Sequence, residues 1–400
     1  MEGILITPKP QDDSVSSVDD NQSEAVEKKQ AELLERKRFE ESSRAEPEIT
    51  RDQLSLRKKL LNWRTIVPLV IVTVAIVFFV QKLHIDPQKT WTAIRSANLI
   101  FLLAAFASYY LSFPLRSARW RILLENVGFT KAKGVELPKF WKLTEIIFIS
   151  WFANSIVPAK LGDLYRAYLL RQESGVSATR TFGTVMAERL LDLIVLLLLF
   201  IPALIISLHA HLPSVLRGGL ELTLAAVVVG IAALVIMRQF PAQIARLIPE
   251  RFRGYFYHFQ EGTLGSFKHI PTLIGLTFGV WACEALRFFF VAAALNLIAG
   301  DPLHVITAAC FIALGEALLT VVPLTGGGVG LVEAGMLAMI ALFNQGTANA
   351  LNVSTAAIVL DRMISFTSVI VFGFIVFMLA FGRQATKQVK NLDTKHEAGL

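Results

Sequence analysis

Residues 319–336 read L-T-V-V-P-L-T-G-G-G-V-G-L-V-E-A-G-M: an apolar run reaches Pro323, breaks over Gly326, Gly327, Gly328 and Gly330, and resumes around Glu333. Proline lacks the backbone donor a helix needs and glycine costs roughly 1 kcal/mol against alanine, so together they end a helix. In lipid the freed backbone groups need partners, and such a break survives only where protein or a wet cavity surrounds it. Residues 155–167, S-I-V-P-A-K-L-G-D-L-Y-R-A, have the same grammar: Val157-Pro158, three residues, then Gly162. Two broken segments in corresponding places point to the binding site of a transporter.

The surrounding composition fits a membrane setting. The chain is 54% hydrophobic, too apolar for a soluble protein, and several runs approach the roughly 20 residues of a membrane helix. Its net charge of +7 sits mainly between the apolar runs, where it acts as a topology signal and meets anionic headgroups; no nucleic-acid partner is expected. Cys283 and Cys310 lie inside apolar runs without metal-ligand spacing and read as packed thiols. The chain lacks H-E-x-x-H, a phosphate-binding P-loop and G-x-S-x-G, so no catalytic residue, metal or cofactor is expected and the protein does not read as an enzyme. Its start, M-E-G-I-L-I-T, does not read as a secretory signal.

In chain order, residues 1–60 form a polar cytoplasmic tail, partly disordered, in which 24–39 could form a solvated helix. Arg57, Lys58, Lys59 and Arg64 precede a first span at 66–83, and a second follows at 99–115. Arg116, Arg119, Arg121, Lys131, Lys133, Lys139 and Lys142 then read as a dense cytoplasmic loop. The run 143–157 is too short to cross comfortably and has basic residues on both flanks, as a re-entrant hairpin would. Further spans are expected at 184–208, 220–237 and 272–298, with 209–218 an outer loop and 238–268 a basic inner one. Residues 303–343 form the second broken hairpin, and 355–381 the last span, ahead of Arg383, Lys387, Lys390 and Lys395. The expected fold is an all-α polytopic membrane protein of about six full spans plus two broken or re-entrant hairpins. Span, hairpin, span occurs twice around one spacer span, an inverted repeat. A membrane domain at 61–382 and a short basic cytoplasmic tail at 383–400 complete the division.

The apolar segments carry Asp163, Arg166, Glu188, Arg189, Asp192, Glu284, Arg287, Glu316, Glu333, Asp361 and Arg362. At roughly 3 kcal/mol each, these would cost on the order of 30 kcal/mol facing lipid, against a folding stability of about 5–15 kcal/mol. They must pair or line water. Glu284 and Arg287, at i, i+3, can bond directly. Glu188 and Asp192 share a face at i, i+4 and repel unless a cation or a shared proton lies between them. Arg189 and Arg362 each follow an acid, as E-R and D-R, and matching positions in the two units put both pairs near one central cavity. These groups serve either as salt bridges that lock the helices or as a translocation path. The candidate substrate-binding or translocation set is Asn154, Pro158, Gly162, Asp163, Arg166, Glu188, Arg189, Asp192, Glu284, Arg287, Glu316, Pro323, Gly327, Gly328, Gly330, Glu333, Asp361 and Arg362.

N-S-I-V-P-A-K-L-G-D-L-Y-R-A from Asn154, E-R-L-L-D from Glu188 and V-P-L-T-G-G-G-V-G-L-V-E-A from Val322 resemble the flippase-like membrane domain of lysylphosphatidylglycerol synthases. Arg119 with Trp120 is similar to that family's Arg-Trp element, and the resemblance covers about residues 66–382. The chain stops soon after its last span, so the resemblance implies a stand-alone member that handles lipid without synthesising it. It implies membrane lipids as partners, with a phospholipid or lipid-linked sugar headgroup, and a bacterial or archaeal plasma membrane with both termini cytoplasmic. Homo-oligomers remain open. So do two other functions: a proton- or cation-coupled carrier of a small solute, and an accessory membrane subunit for lipid-linked glycan synthesis. Seven acids against four bases within the segments favour coupling, an excess that vanishes if Arg116, Arg119 and Lys160 reach the cavity.

Overall fold

The computed structural model describes residues 86–157, 160–208, 214–321, 326–343 and 350–380. The expected first span, the helix at 24–39, both tails, Pro158 and Pro323 lie outside the described residues. Among the described residues every regular element is helical: twelve helices and no strand. Helix α1 (Pro87–Ser96) is opened by the Asp86 carboxylate, which accepts from the amides of Gln88 and Lys89 at 2.9 and 3.2 Å. Pro87 takes the first position, where its missing donor costs nothing. Asn98 caps α2 (Leu99–Asn126) in the same way, accepting from Ile100 at 2.9 Å.

Helix α2 departs from expectation. Its apolar run stops at Leu115, yet the helix continues to Asn126. Arg116 and Arg119 therefore lie buried inside a helix, with exposures of 4% and 0%, rather than in a basic loop. A helix can carry arginine into a membrane core when acids on its neighbours pair with it, as they do here. After α2 comes the first hairpin, α3 (Phe140–Ile156) and α4 (Leu161–Ser174). At 1.5 Å per residue these arms are about 25 and 21 Å long, short of a hydrocarbon core of about 30 Å. The arms touch backbone to backbone: a Cβ on Gly162 would run into the Ser150 carbonyl and the Asn154 side chain, and Ser150 Oγ donates to the Gly162 carbonyl at 2.8 Å.

Helices α5 (Ala178–Leu208) and α6 (Ser214–Gln239) follow. The stretch expected to be a basic loop is instead largely helical, as α7 (Pro241–Leu247) and α8 (Glu250–Gly265). Helix α8 packs closely on the start of α5, where a Cβ on Gly262 would strike the Arg180 carbonyl. The second unit comprises α9 (Ile270–Ala294), α10 (Pro302–Leu319), α11 (Leu331–Ala341) and α12 (Ala350–Ala380). Residues 363–367 of α12 form a π-helical turn directly after Arg362.

Six described helices are long and apolar enough to cross a membrane: α2, α5, α6, α9, α10 and α12. Five stand where spans are expected from the sequence. The sixth, α10, is the first arm of the second hairpin; its partner α11 has 11 residues and reaches only about 16 Å. Long helix, hairpin, long helix thus occurs twice, with α6 the one membrane-length helix between. Helix α2 packs along α9, α5 packs against α10, and α3 meets the glycine turn at 326–328, so the two breaks approach each other. Among the described residues, only 6% of the apolar window of α6 is buried.

Candidate functional site

Buried charge collects in two clusters. In the first, Arg119 of α2 stands between the two acids of α5: its Nη2 donates to Glu188 Oε1 at 2.8 Å, and its Nη1 to Asp192 Oδ1 and, at 2.9 Å, to Thr277 Oγ1. That guanidinium is the cation the i, i+4 acids require. Arg166 of α4 donates from Nη2 to Glu188 Oε2 at 2.9 Å while lying 3.8 Å over the Trp120 ring. Arg189 holds Asp163 through two parallel bonds, Nε to Oδ2 at 2.8 Å and Nη2 to Oδ1 at 2.7 Å. Asn154 Nδ2 adds a third bond to Asp163 Oδ1 at 3.0 Å. The first turn of α4 is therefore fastened to α5 and to its own sister arm.

The second cluster repeats the theme. Arg287 of α9 donates to Glu316 Oε2 at 2.8 Å, to Glu284 Oε2 at 3.3 Å and, from Nη1, to Asp361. Arg116 donates to Glu284 Oε1 at 2.8 Å and lies 4.4 Å over the Trp151 ring. Arg362 pairs with Glu333 Oε1 at 2.7 Å, donates from Nη2 to the Gly327 carbonyl at 2.7 Å, and comes within 3.7 Å of Glu316. Glu333 in turn accepts from the Gly330 amide at 2.5 Å, tying the glycine turn to the start of α11. Gly327, Gly328 and Gly330 have φ of 61°, 71° and 93°, the left-handed region that residues with a Cβ avoid. A Cβ on Gly327 would also run into the Phe366 ring.

Between the clusters lies a cavity of about 610 Å³. Asn154, Asp163, Arg189, Asp192, Glu284, Arg287, Glu316, Gly327, Gly328 and Arg362 line it. Arg166, Glu188 and Asp361 are buried outside its lining, with exposures of 1%, 2% and 0%; Asp361 braces the lining Arg287, while Glu188 joins Arg166 to Arg119. Gly162 serves the close approach of the α3–α4 arms, while Gly330 and Glu333 build the second turn. The neighbour pairs E-R and D-R do not bond internally. Arg189 takes Asp163 and Arg362 takes Glu333, because consecutive residues on a helix point about 100° apart. Arg116 and Lys160 also line the cavity, outside the candidate set, and Arg119 holds the lining residue Asp192 from behind. Trp120, Leu123 and Leu124, all buried, continue the apolar face of α2 past Leu115, and that pattern is the sequence signal for a longer helix.

Comparison with known proteins agrees with this architecture. The family described as the lysylphosphatidylglycerol synthase TM region matches residues 65–373. A UPF0104 membrane protein of Methanocaldococcus jannaschii is 32% identical over 60% of this chain and 98% of its own length. A UPF0104 membrane protein of Pyrococcus horikoshii is 23% identical, over 70% of this chain and 87% of its own. The glycosyltransferase AglD of Haloferax volcanii is 26% identical over 86% of this chain, and the chain spans 60% of that protein's length. No solved structure matches the chain. With six membrane-length apolar helices and membrane-protein relatives, the molecule is an integral membrane protein.

Proposed function

Because this chain belongs to the lysylphosphatidylglycerol synthase TM-region family, we propose that it is a lipid flippase, passing a polar headgroup through the cavity while the acyl chains stay in the bilayer. One observation carries the reading: a cavity of about 610 Å³, among membrane-length apolar helices, is lined by ionisable residues of both units and faces both broken hairpins. A headgroup crossing a low-dielectric centre loses several kcal/mol of solvation unless fixed polar groups replace its water. The volume suits a headgroup and its glycerol better than a whole diacyl lipid. In this reading the protein itself makes no covalent bond, both termini face the cytoplasm of a plasma membrane, and its partners are membrane lipids, with self-association compatible. The relative named as a glycosyltransferase supports a second reading, an accessory membrane subunit for lipid-linked glycan assembly.

The test uses Asp163 and Arg189, whose bidentate pair fastens the first hairpin. Translocation of fluorescent lipid in proteoliposomes is measured beside thermal stability for Arg189→Gln and for Asp163→Asn with Arg189→Gln. The single variant should lose both stability and transport, since it leaves a buried carboxylate unpaired. The double variant should regain stability and remain inactive. A double variant that recovered transport as well would reduce the pair to a structural pin and sink the flippase path.

A further inference from the structure

Arg116, Arg189, Arg287 and Arg362, the arginines that line the cavity, are each paired with a carboxylate: with Glu284, Asp163, Glu316 and Glu333 in turn. Asp192 is held by Arg119. A cationic ligand entering this space finds no free acid among the described residues. An anion does find a counter-charge. Lys160 lines the same cavity and has no carboxylate within 4.0 Å among the described residues. Its backbone is left-handed, with φ 52° and ψ 36°, a conformation that a residue with a Cβ keeps only when its surroundings impose it.

We propose that Lys160 is the anion-binding residue of the cavity and that the ligand it takes is the phosphate-ester anion of a phospholipid headgroup. This rests on the flippase reading and gives it a substrate class. An ammonium on a flexible stem is a compact point charge that can follow a phosphate through a changing geometry. The paired arginines are already engaged by carboxylates, Arg189 through two parallel bonds. A phosphate can therefore bind at Lys160 without displacing any bridge that holds the hairpins, whereas a carboxylate-seeking amine must break one.

The experiment compares two acyl-labelled fluorescent lipids with matched chains in proteoliposomes of the full chain: phosphatidylglycerol, and a monoglucosyl diacylglycerol without phosphate. Uptake of radiolabelled inorganic phosphate into the same vesicles forms a third arm. The wild type should move phosphatidylglycerol faster than the glycolipid. Lys160→Gln should slow phosphatidylglycerol about tenfold or more, the scale of one charge-assisted hydrogen bond, and leave the glycolipid rate unchanged. Lys160→Arg should keep most of the activity, which shows that charge rather than folding is read. Equal effects of Lys160→Gln on both lipids, or none on either, overturn the assignment while the flippase reading stands. Lys160-dependent uptake of inorganic phosphate assigns the site to a soluble anion and overturns the lipid headgroup. A wild type that moves neither lipid overturns the flippase reading, and this inference with it.

Discussion

Arg119 shows how one side chain decides a local fold. It is fully buried and answers two acids one turn apart on α5, so removing it leaves Glu188 and Asp192 short of their shared cation. Arg119→Met should cost about 3–5 kcal/mol, the usual penalty for orphaning a buried charge, read as a lower melting temperature in detergent. Arg121→Met, two residues on, breaks only an exposed i, i+4 bridge to Glu125 and should change stability by less than about 0.5 kcal/mol. Equal losses would show that the first cluster does not hold the helices. The sequence makes the need for this cation legible, because acids at i, i+4 repel. It does not name the cation. Arg116 and Arg119 follow an apolar run just as residues of a positive cytoplasmic loop do, and their partners lie on α5 and α9. Likewise E-R and D-R look like pairs on paper, yet helical geometry turns neighbouring side chains apart and each arginine reaches to another helix.

At the scale of elements, the broken hairpins are the part the sequence displays best, since proline and glycine act locally. Gly327 illustrates the constraint. Its positive φ and the Phe366 ring beside it leave no room for a side chain. Gly327→Leu should abolish transport and lower the melting temperature, whereas Gly330→Ala, where a Cβ meets open space, should carry only the strain of its φ of 93°. Identical behaviour of the two variants in translocation and melting would mean that the Phe366 contact is unimportant. Helices α7 and α8 were not legible in this way. The many charges and aromatics of α8 read as loop, and it packs against α5 at Gly183 and Gly262, a contact between distant backbones, while the short α7 packs on α6. The length of α2 was hidden for a related reason: its last turns exchange an apolar lipid face for buried ion pairs.

For the whole molecule, alternating charge between the apolar runs predicts sidedness. A membrane-impermeant thiol reagent added outside should label Ser214→Cys at the start of α6 and not Lys131→Cys after α2; the reverse pattern would invert the topology. The fold class was readable because hydrophobic run length is a whole-chain property; a central cavity was expected from the matching E-R and D-R positions, but which side chains line it and which lie outside its lining depends on which helices touch. The π-helical turn at residues 363–367 shows how finely that contact is set. A π turn accommodates one residue more than an α turn, so it works as a phase shift in the screw of α12: everything after it is rotated about 100° from where a regular helix would place it. Before the shift, Asp361 and Arg362 present charge to the second cluster. Beyond it, Ser368 meets the Tyr110 hydroxyl at 2.8 Å and Phe372 sets its edge against Phe106 with centroids 6.1 Å apart. Deleting Thr367, an exposed residue, should restore an unbroken α register with unchanged helix content by circular dichroism. Because that deletion removes the one residue the π turn absorbs, Ser368 and Phe372 should keep their contacts with α2, read as an unchanged melting temperature, whereas an alanine inserted after Thr367 should rotate them away and lower it. The turn then works as an indexing pin, letting a single helix serve a charged cavity at one end and an aromatic seam at the other.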